Sequence, residues 1–149
     1  MLRKLVLDAA IWAPTAGNAQ TWGFAIVTDP NLIRKIMMVS PGLLSKPTPA
    51  LIAVCQDLDE AEKRGGELGR NLTSMDTAMA AQNIMLAAYA QDIGTCAIAS
   101  FHPGAVQQIL CLPPAIVPQL LISLGYPQVK AHPRKRNVKV VWLNEYSRE

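Results

Sequence analysis

Apolar residues at positions 2, 5, 6, 9, 10 and 13 recur close to the helical period, so residues 2–13 are expected to form a helix. Pro14 stops it, because the residue before a proline is steered away from helical dihedrals. Phe24–Thr28 is short and rich in β-branched side chains, which predicts a strand. Asp29-Pro30 then caps a helix running to about Met38, with proline suited to the first turn. Residues 40–49 carry three prolines and read as a loop. Ala50–Cys55 is a continuous apolar strand of the kind buried on both faces.

Polarity then rises sharply. Asp57–Asn71 is dense in charge and holds three glycines, and it reads as an exposed excursion with room for a short helix at the rim of a site. Thr73-Ser-Met-Asp76 is a near match to a capping box, opening a helix over Asp76–Gln91. Its apolar residues occupy nearly every face, which predicts burial all round, and its alanines suit a central helix shared with a second subunit. Gly94 is expected to close that helix as a left-handed residue. A strand over Thr95–Ala99, a proline-led helix over Pro103–Leu110, a stop at Pro113-Pro114 and an apolar strand over Pro118–Gly125 follow; Val138–Trp142 has strand composition. Strands separated by helices argue for a layered α/β or α+β fold, and the length suits one domain over residues 1–149.

Composition sharpens this picture. Half the residues are hydrophobic, 17% are charged and the mean hydropathy is +0.18. A small domain has limited interior, so the apolar surplus points to an extensive subunit interface. No apolar run approaches the length of a bilayer span, and the start shows an early Asp8 and no signal-peptide cleavage pattern, so the expectation is a cytoplasmic protein with no membrane partner. The net charge of +3 gathers at Arg134-Lys135-Arg136 and Lys139; with no interleaved aromatics it does not suggest a nucleic-acid partner. Cys55, Cys96 and Cys111 lack metal or redox spacing and are read as buried, inert thiols. His102 and His132 read as loop or cap residues, and no metal site is expected.

Familiar catalytic sets are missing: there is no Gly-x-Ser-x-Gly elbow, no phosphate-binding Gly-x-x-x-x-Gly-Lys and no His-Glu-x-x-His. Gly65-Gly66-Glu67-Leu68-Gly69 follows a charged run, not a strand, and reads as a flexible turn. A chain poor in acid–base groups suits a cofactor that brings its own reactivity.

The run Pro14-Thr15-Ala16-Gly17-Asn18-Ala19-Gln20-Thr21-Trp22, after a first helix and before a strand, resembles the signature loop of the nitroreductase family of FMN-dependent oxidoreductases. Asp76–Phe101, with Gln82-Asn83 and Gly94, is similar to the family's central helix and the strand that passes the flavin. Ser123-Leu-Gly-Tyr-Pro127 and Pro133-Arg-Lys-Arg-Asn-Val-Lys-Val-Val fit the same order. The resemblance implies an α+β fold of three α/β/α layers with a mixed central sheet, assembled as an intertwined homodimer with FMN at the interface. It implies hydride transfer from NAD(P)H through the flavin to a small-molecule acceptor, a nitroaromatic or a quinone.

Residue roles follow from the same likeness. Pro14, Thr15, Ala16 and Asn18 would meet a flavin held largely by the partner subunit. Ile98, Ala99 and Ser100 would lie beside the isoalloxazine ring, their backbone N–H groups reaching N5 and O4. Arg134 and Arg136 would grip the phosphate, for which bidentate guanidinium contacts are suited. On a strand-like segment those two point the same way, and Lys135 the other. Trp22 is expected as a packing anchor, and no catalytic proton donor is identified. The chain departs from the family pattern in three places. It begins inside the first helix, where members carry a preceding basic segment for which Arg3 and Lys4 are not obvious substitutes. Ala99-Ser100 stands where many members have Gly-Gly or Glu-Gly, and residues 55–73 are few for the family. A flavin-binding member without efficient turnover, and a dimeric interaction protein that has lost the cofactor, remain as alternatives.

Overall fold

The four apolar stretches Trp22–Val27 (β1), Ala50–Asp57 (β2), Gly94–Ile98 (β3) and Ile116–Gly125 (β4) pair into one sheet, ordered β1-β2-β4-β3. The structure is a computed structural model and describes residues 4, 8–43, 47–129, 132–137 and 142. Every ladder among the described strands is antiparallel. A mixed sheet needs a parallel neighbour, and the remaining strand-like segment, residues 138–142, lies outside the described residues except for Trp142. Pro118 has no N–H to give the ladder, and it sits opposite Cys55 where the β2–β4 register shifts.

The continuous apolar run of β2 is explained by layers on both sides. Side chains alternate across a strand. Ile52 and Val54, with Ile122 and Leu124, face the long helix Leu58–Tyr89 (α2) through Ala80, Ala81, Ile84 and Ala88. Leu51, Ala53 and Cys55, with Leu121, face the short helices Pro30–Met38 (α1) and Pro103–Ile109 (α3) through Ile33, Ile36 and Val106. The result is an α+β fold with three α/β/α layers. Burial pushes the Cys55 thiol up to about 12, so it stays protonated in the core. Cys96 and Cys111 are exposed free thiols, against the expectation of burial; Cys96 lies on an outer strand, where alternate side chains leave the core.

Local chemistry sets the short helices. Asp29 Oδ1 accepts from the N–H groups of Asn31 and Leu32 at 2.6 and 3.1 Å, and Pro30 fills the first position of α1. His102 Nδ1 accepts from Ala105 N–H at 3.2 Å and caps α3. At the amino-terminal end, Asp8–Ala10 are helical, in keeping with the expected first helix.

The polar excursion proves to be helical. Asp57 caps α2 by accepting from Glu60 N–H, and the helix runs on through the glycines, broken only at Gly66, whose φ of 57° and ψ of −144° are open to glycine. The chain folds back so sharply there that a Cβ on Gly69 would strike the Ala61 carbonyl. Arg64–Glu60 and Arg70–Glu62 ion pairs, each 2.6 Å, brace the segment. The helix is therefore under way before Thr73, and Thr73-x-x-Asp76 caps nothing. The far end also differs: the left-handed residue after α2 is Asp92, φ 56°, and Gly94 already belongs to β3, packed against Gly125 and Pro127. Nor is α2 buried all round, since Met75, Leu86 and Tyr89 stand exposed on the side away from the sheet.

Candidate functional site

The signature loop is a single 3₁₀ turn, Ala16–Asn18, held in an unusual backbone. Gly17, Asn18 and Gln20 all have positive φ, at 56°, 54° and 54°. Glycine and asparagine tolerate this region; glutamine does so only when its surroundings insist. Part of the insistence is internal, because Thr15 Oγ1 accepts from Gln20 N–H and Asn18 Oδ1 from Gln20 Nε2, each at 3.1 Å. The short polar groups of Thr15 and Asn18 therefore shape the loop. Pro14 and Asn18 are exposed; Thr15 and Ala16 are half-buried. Trp22 is half-buried against the α2-side core and 6.5 Å from the Phe24 ring, a packing anchor as expected.

Strand β2 adds a backbone bond, Asp57 N–H to the Thr21 carbonyl at 2.9 Å, and helix α2 supplies side chains. Asp76 Oδ1 accepts from Ala16 N–H at 3.1 Å, and the Thr73 hydroxyl lies 2.8 Å from that of Thr21 and donates to the Thr21 carbonyl at 3.2 Å. Asn83 Nδ2 donates to the Ala9 carbonyl at 3.1 Å. Between loop and bend lies a cavity of about 320 Å³, lined on the loop side by Ala16, Gly17 and Ala19 and on the helix side by Arg64, Leu68 and Asp76. At its rim the Arg64 guanidinium, hydrogen-bonded to Glu60, holds the Glu60 carboxyl below the usual range.

Ile98, Ala99 and Ser100 lie at the other edge of the sheet, where β3 ends. The Ile98 side chain is buried in the core facing α1 and α3, so only its backbone is open to a ligand. Ala99 and Ser100 are exposed. Their course is fixed by the turn after α1: Gly42 N–H donates to Ser100 O at 3.1 Å and His102 N–H to Val39 O at 2.9 Å. The contact is close enough that a Cβ on Gly42 would come within 2.8 Å of Ile98 Cγ2 and 2.9 Å of Ser100 Cβ. Among the described residues, the Ser100 N–H donates to no group of this chain.

Arg134 and Arg136 are exposed in residues 132–137, which have no regular secondary structure. Within one chain, then, the loop and the strand end flank opposite outer strands and do not form one pocket. The residues that sequence reasoning missed are Thr73 and Asp76, read there as a cap, and Gly42, read as part of a proline-rich loop. Two polar residues one turn apart where the helix turns apolar were the available signal.

Compared with known families, residues 44–126 match the description "Nitroreductase family". A provisionally named NADH dehydrogenase/NAD(P)H nitroreductase of Methanothermobacter thermautotrophicus is 31% identical over 127 residues, covering 82% of this chain and 63% of that protein; the chain thus spans less than two-thirds of this relative. Among solved structures, a protein of the same provisional name from Parabacteroides distasonis superposes with a TM-score of 0.81 at 28% identity, covering 97% of this chain and 85% of the other. A Clostridium difficile protein described as an FMN-dependent nitroreductase shares the fold, with a TM-score of 0.82 at 20% identity over 97% of this chain and 87% of its own.

Proposed function

Since this chain belongs to the nitroreductase family, we propose that it is an FMN-dependent oxidoreductase, passing hydride from NAD(P)H to a nitroaromatic, quinone or similar acceptor as a homodimer. The observation that carries the cofactor is the Ser100 N–H: on an exposed residue just past an outer strand, beside the Gly42 N–H bond to its carbonyl, and without an acceptor in its own chain among the described residues. A flavin edge offers N5 and O4 as acceptors for such a donor. When bound, FMN supplies the redox chemistry for which the chain has no side-chain set. The chain's own part is to orient and anchor. Ile98, Ala99 and Ser100 present backbone, Pro14, Thr15, Ala16 and Asn18 cover the ring from the partner subunit, and Arg134 and Arg136 neutralise the phosphate.

Two observations support the dimer. The loop and the strand end serve one flavin only if they come from different subunits, since they flank opposite edges of the sheet. Leu68, Met75, Met79, Leu86 and Tyr89 expose apolar surface along α2, spaced as one stripe and away from the sheet. The visible spectrum of purified protein, followed by FMN titration and by NAD(P)H oxidation with a nitro compound or quinone, tests the reading. Arg134→Ala with Arg136→Ala is expected to weaken FMN by at least about tenfold, from the lost charge-assisted hydrogen bonds. Colourless protein that stays monomeric in excess FMN would overturn the proposal.

A further inference from the structure

We propose that Thr73 and Asp76 of α2 are positioning residues for the flavin: a two-point clamp that sets the backbone of the loop from below. The inference rests on the flavin reading above. The two residues lie one helical turn apart and hold opposite ends of the loop, Asp76 the N–H of Ala16 and Thr73 the hydroxyl and carbonyl of Thr21. Between those anchors lie all three left-handed residues, Gly17, Asn18 and Gln20. A backbone of that kind persists only where its surroundings over-determine it.

The chemistry of the helix agrees. Aspartate and threonine are poor helix-interior residues, because their side chains compete with the backbone for hydrogen bonds. Asp76 is 3% and Thr73 1% exposed. A carboxylate so placed is costly unless paired, and its hydrogen-bond donor is Ala16 N–H, sixty positions away in sequence. Thr73 gives and receives on the same loop. The hydrogen bonds given above run from both groups to the loop backbone and to the Thr21 hydroxyl. Each acts through Ala16 or Thr21, so that the exposed side of the loop is already in place when the partner's FMN arrives.

The test uses the FMN-loaded protein. Asp76→Ala is expected to raise the FMN dissociation constant about tenfold, while Asp76→Asn, which keeps an acceptor oxygen, stays within about threefold of wild type. Thr73→Val, matched in shape without the hydroxyl, is expected to weaken FMN about fivefold, and Thr73→Ser to restore it. Amide hydrogen exchange supplies a readout independent of flavin: residues 15–21 speed up in Asp76→Ala and Thr73→Val, while 80–88 in the same helix hold. Wild-type FMN affinity and unchanged exchange in both variants would overturn the clamp, as would an Asp76→Asn variant as defective as Asp76→Ala. If Asp76→Ala does not fold, the Thr73→Val and Thr73→Ser pair decides. A wild-type chain that takes up no FMN removes the flavin reading, and the exchange comparison then separates a clamp that exists without that cofactor from no clamp at all.

Discussion

The two segments proposed to face the flavin are held by opposite means. The loop at 14–21 hangs largely from side chains: the Asp76 carboxylate and the Thr21–Thr73 hydroxyl pair reach it from a helix far away in sequence, beside one backbone bond at its end, from Asp57 N–H to the Thr21 carbonyl at 2.9 Å. The strand end at 98–101 is set, among the described residues, without side-chain hydrogen bonds: by Gly42 N–H on Ser100 O, His102 N–H on Val39 O, the buried Ile98 side chain and a glycine that leaves no room for a methyl group. Side-chain anchors are removed one hydrogen bond at a time. A steric wedge fails abruptly, when a single carbon is added. The same contrast explains why the loop can carry three positive φ angles while the strand end carries none.

Gly42→Ala is the sharpest way to break the comparison. Its Cβ meets Ile98 Cγ2, a buried side chain, and overpacking of that kind costs about 1–3 kcal/mol. Urea unfolding should register the loss at unchanged m-value, and adding Ser100→Gly, which removes one of the three opposing atoms, should recover part of it. Equal stabilities would show that the turn yields freely and that the wedge is illusory.

On the loop side, Thr73→Val leaves the Thr21 hydroxyl buried without its partner, at an expected cost of about 1–2 kcal/mol. A double-mutant cycle with Thr21→Val should return a coupling near 1 kcal/mol, since removing both hydroxyls is far milder than removing one. Additive losses would mean that the pair is a neighbour relation and not a bond.

What was legible in the sequence was whatever rests on local backbone rules. Asp29-Pro30 fixed the start of α1, Pro103 that of α3, and the apolar run at 50–55 lay in a strand covered on both faces. The misreadings share a cause: one local signal can serve two tertiary contexts. Charges and glycines at 57–71 read as an exposed excursion with room for a short helix; the segment is helical almost throughout, with Glu60 and Arg64 paired along one face and a single kink at Gly66. Thr73 and Asp76 have the residue types of a cap, and only the chain 52 and 60 positions earlier decides that they bind a loop instead. Gly94 looked like a helix stop, but Asp92, which also tolerates positive φ, took that place. For the site, the loop and strand-end segments could be named from the resemblance; what supports them could not, because long-range contacts leave no periodicity.

Gly17→Ala sharpens the comparison from the other direction. At Gly17 nothing lies within 4 Å of the added carbon, so the penalty is purely the left-handed φ of 56°, about 1 kcal/mol. The same substitution thus costs through dihedrals in the loop and through contact at the strand end. Thermal unfolding of Gly17→Ala beside Gly42→Ala separates the two, and a penalty at Gly17 as large as that at Gly42 would refute the division.

The smallest effect expected is on pH. All three ion pairs among the described residues lie in 60–70, around the bend beside the loop cavity. Glu60 is held below its ordinary value of 4.5, chiefly by the Arg64 hydrogen bond. A carboxyl depressed in the folded state binds fewer protons there than in the unfolded chain, so its stabilisation is present above pH 4.5 and drains away as pH falls through the lowered value. Exposed pairs contribute little, so the global midpoint should barely move. Local exchange is the better probe: between pH 5 and pH 3, amides in 60–66 should lose protection relative to those of 96–98, after correction for intrinsic rates. Glu60→Gln should abolish the difference. If it persists, the bend is loosened by some group other than Glu60, with the Arg70–Glu62 pair the next to remove.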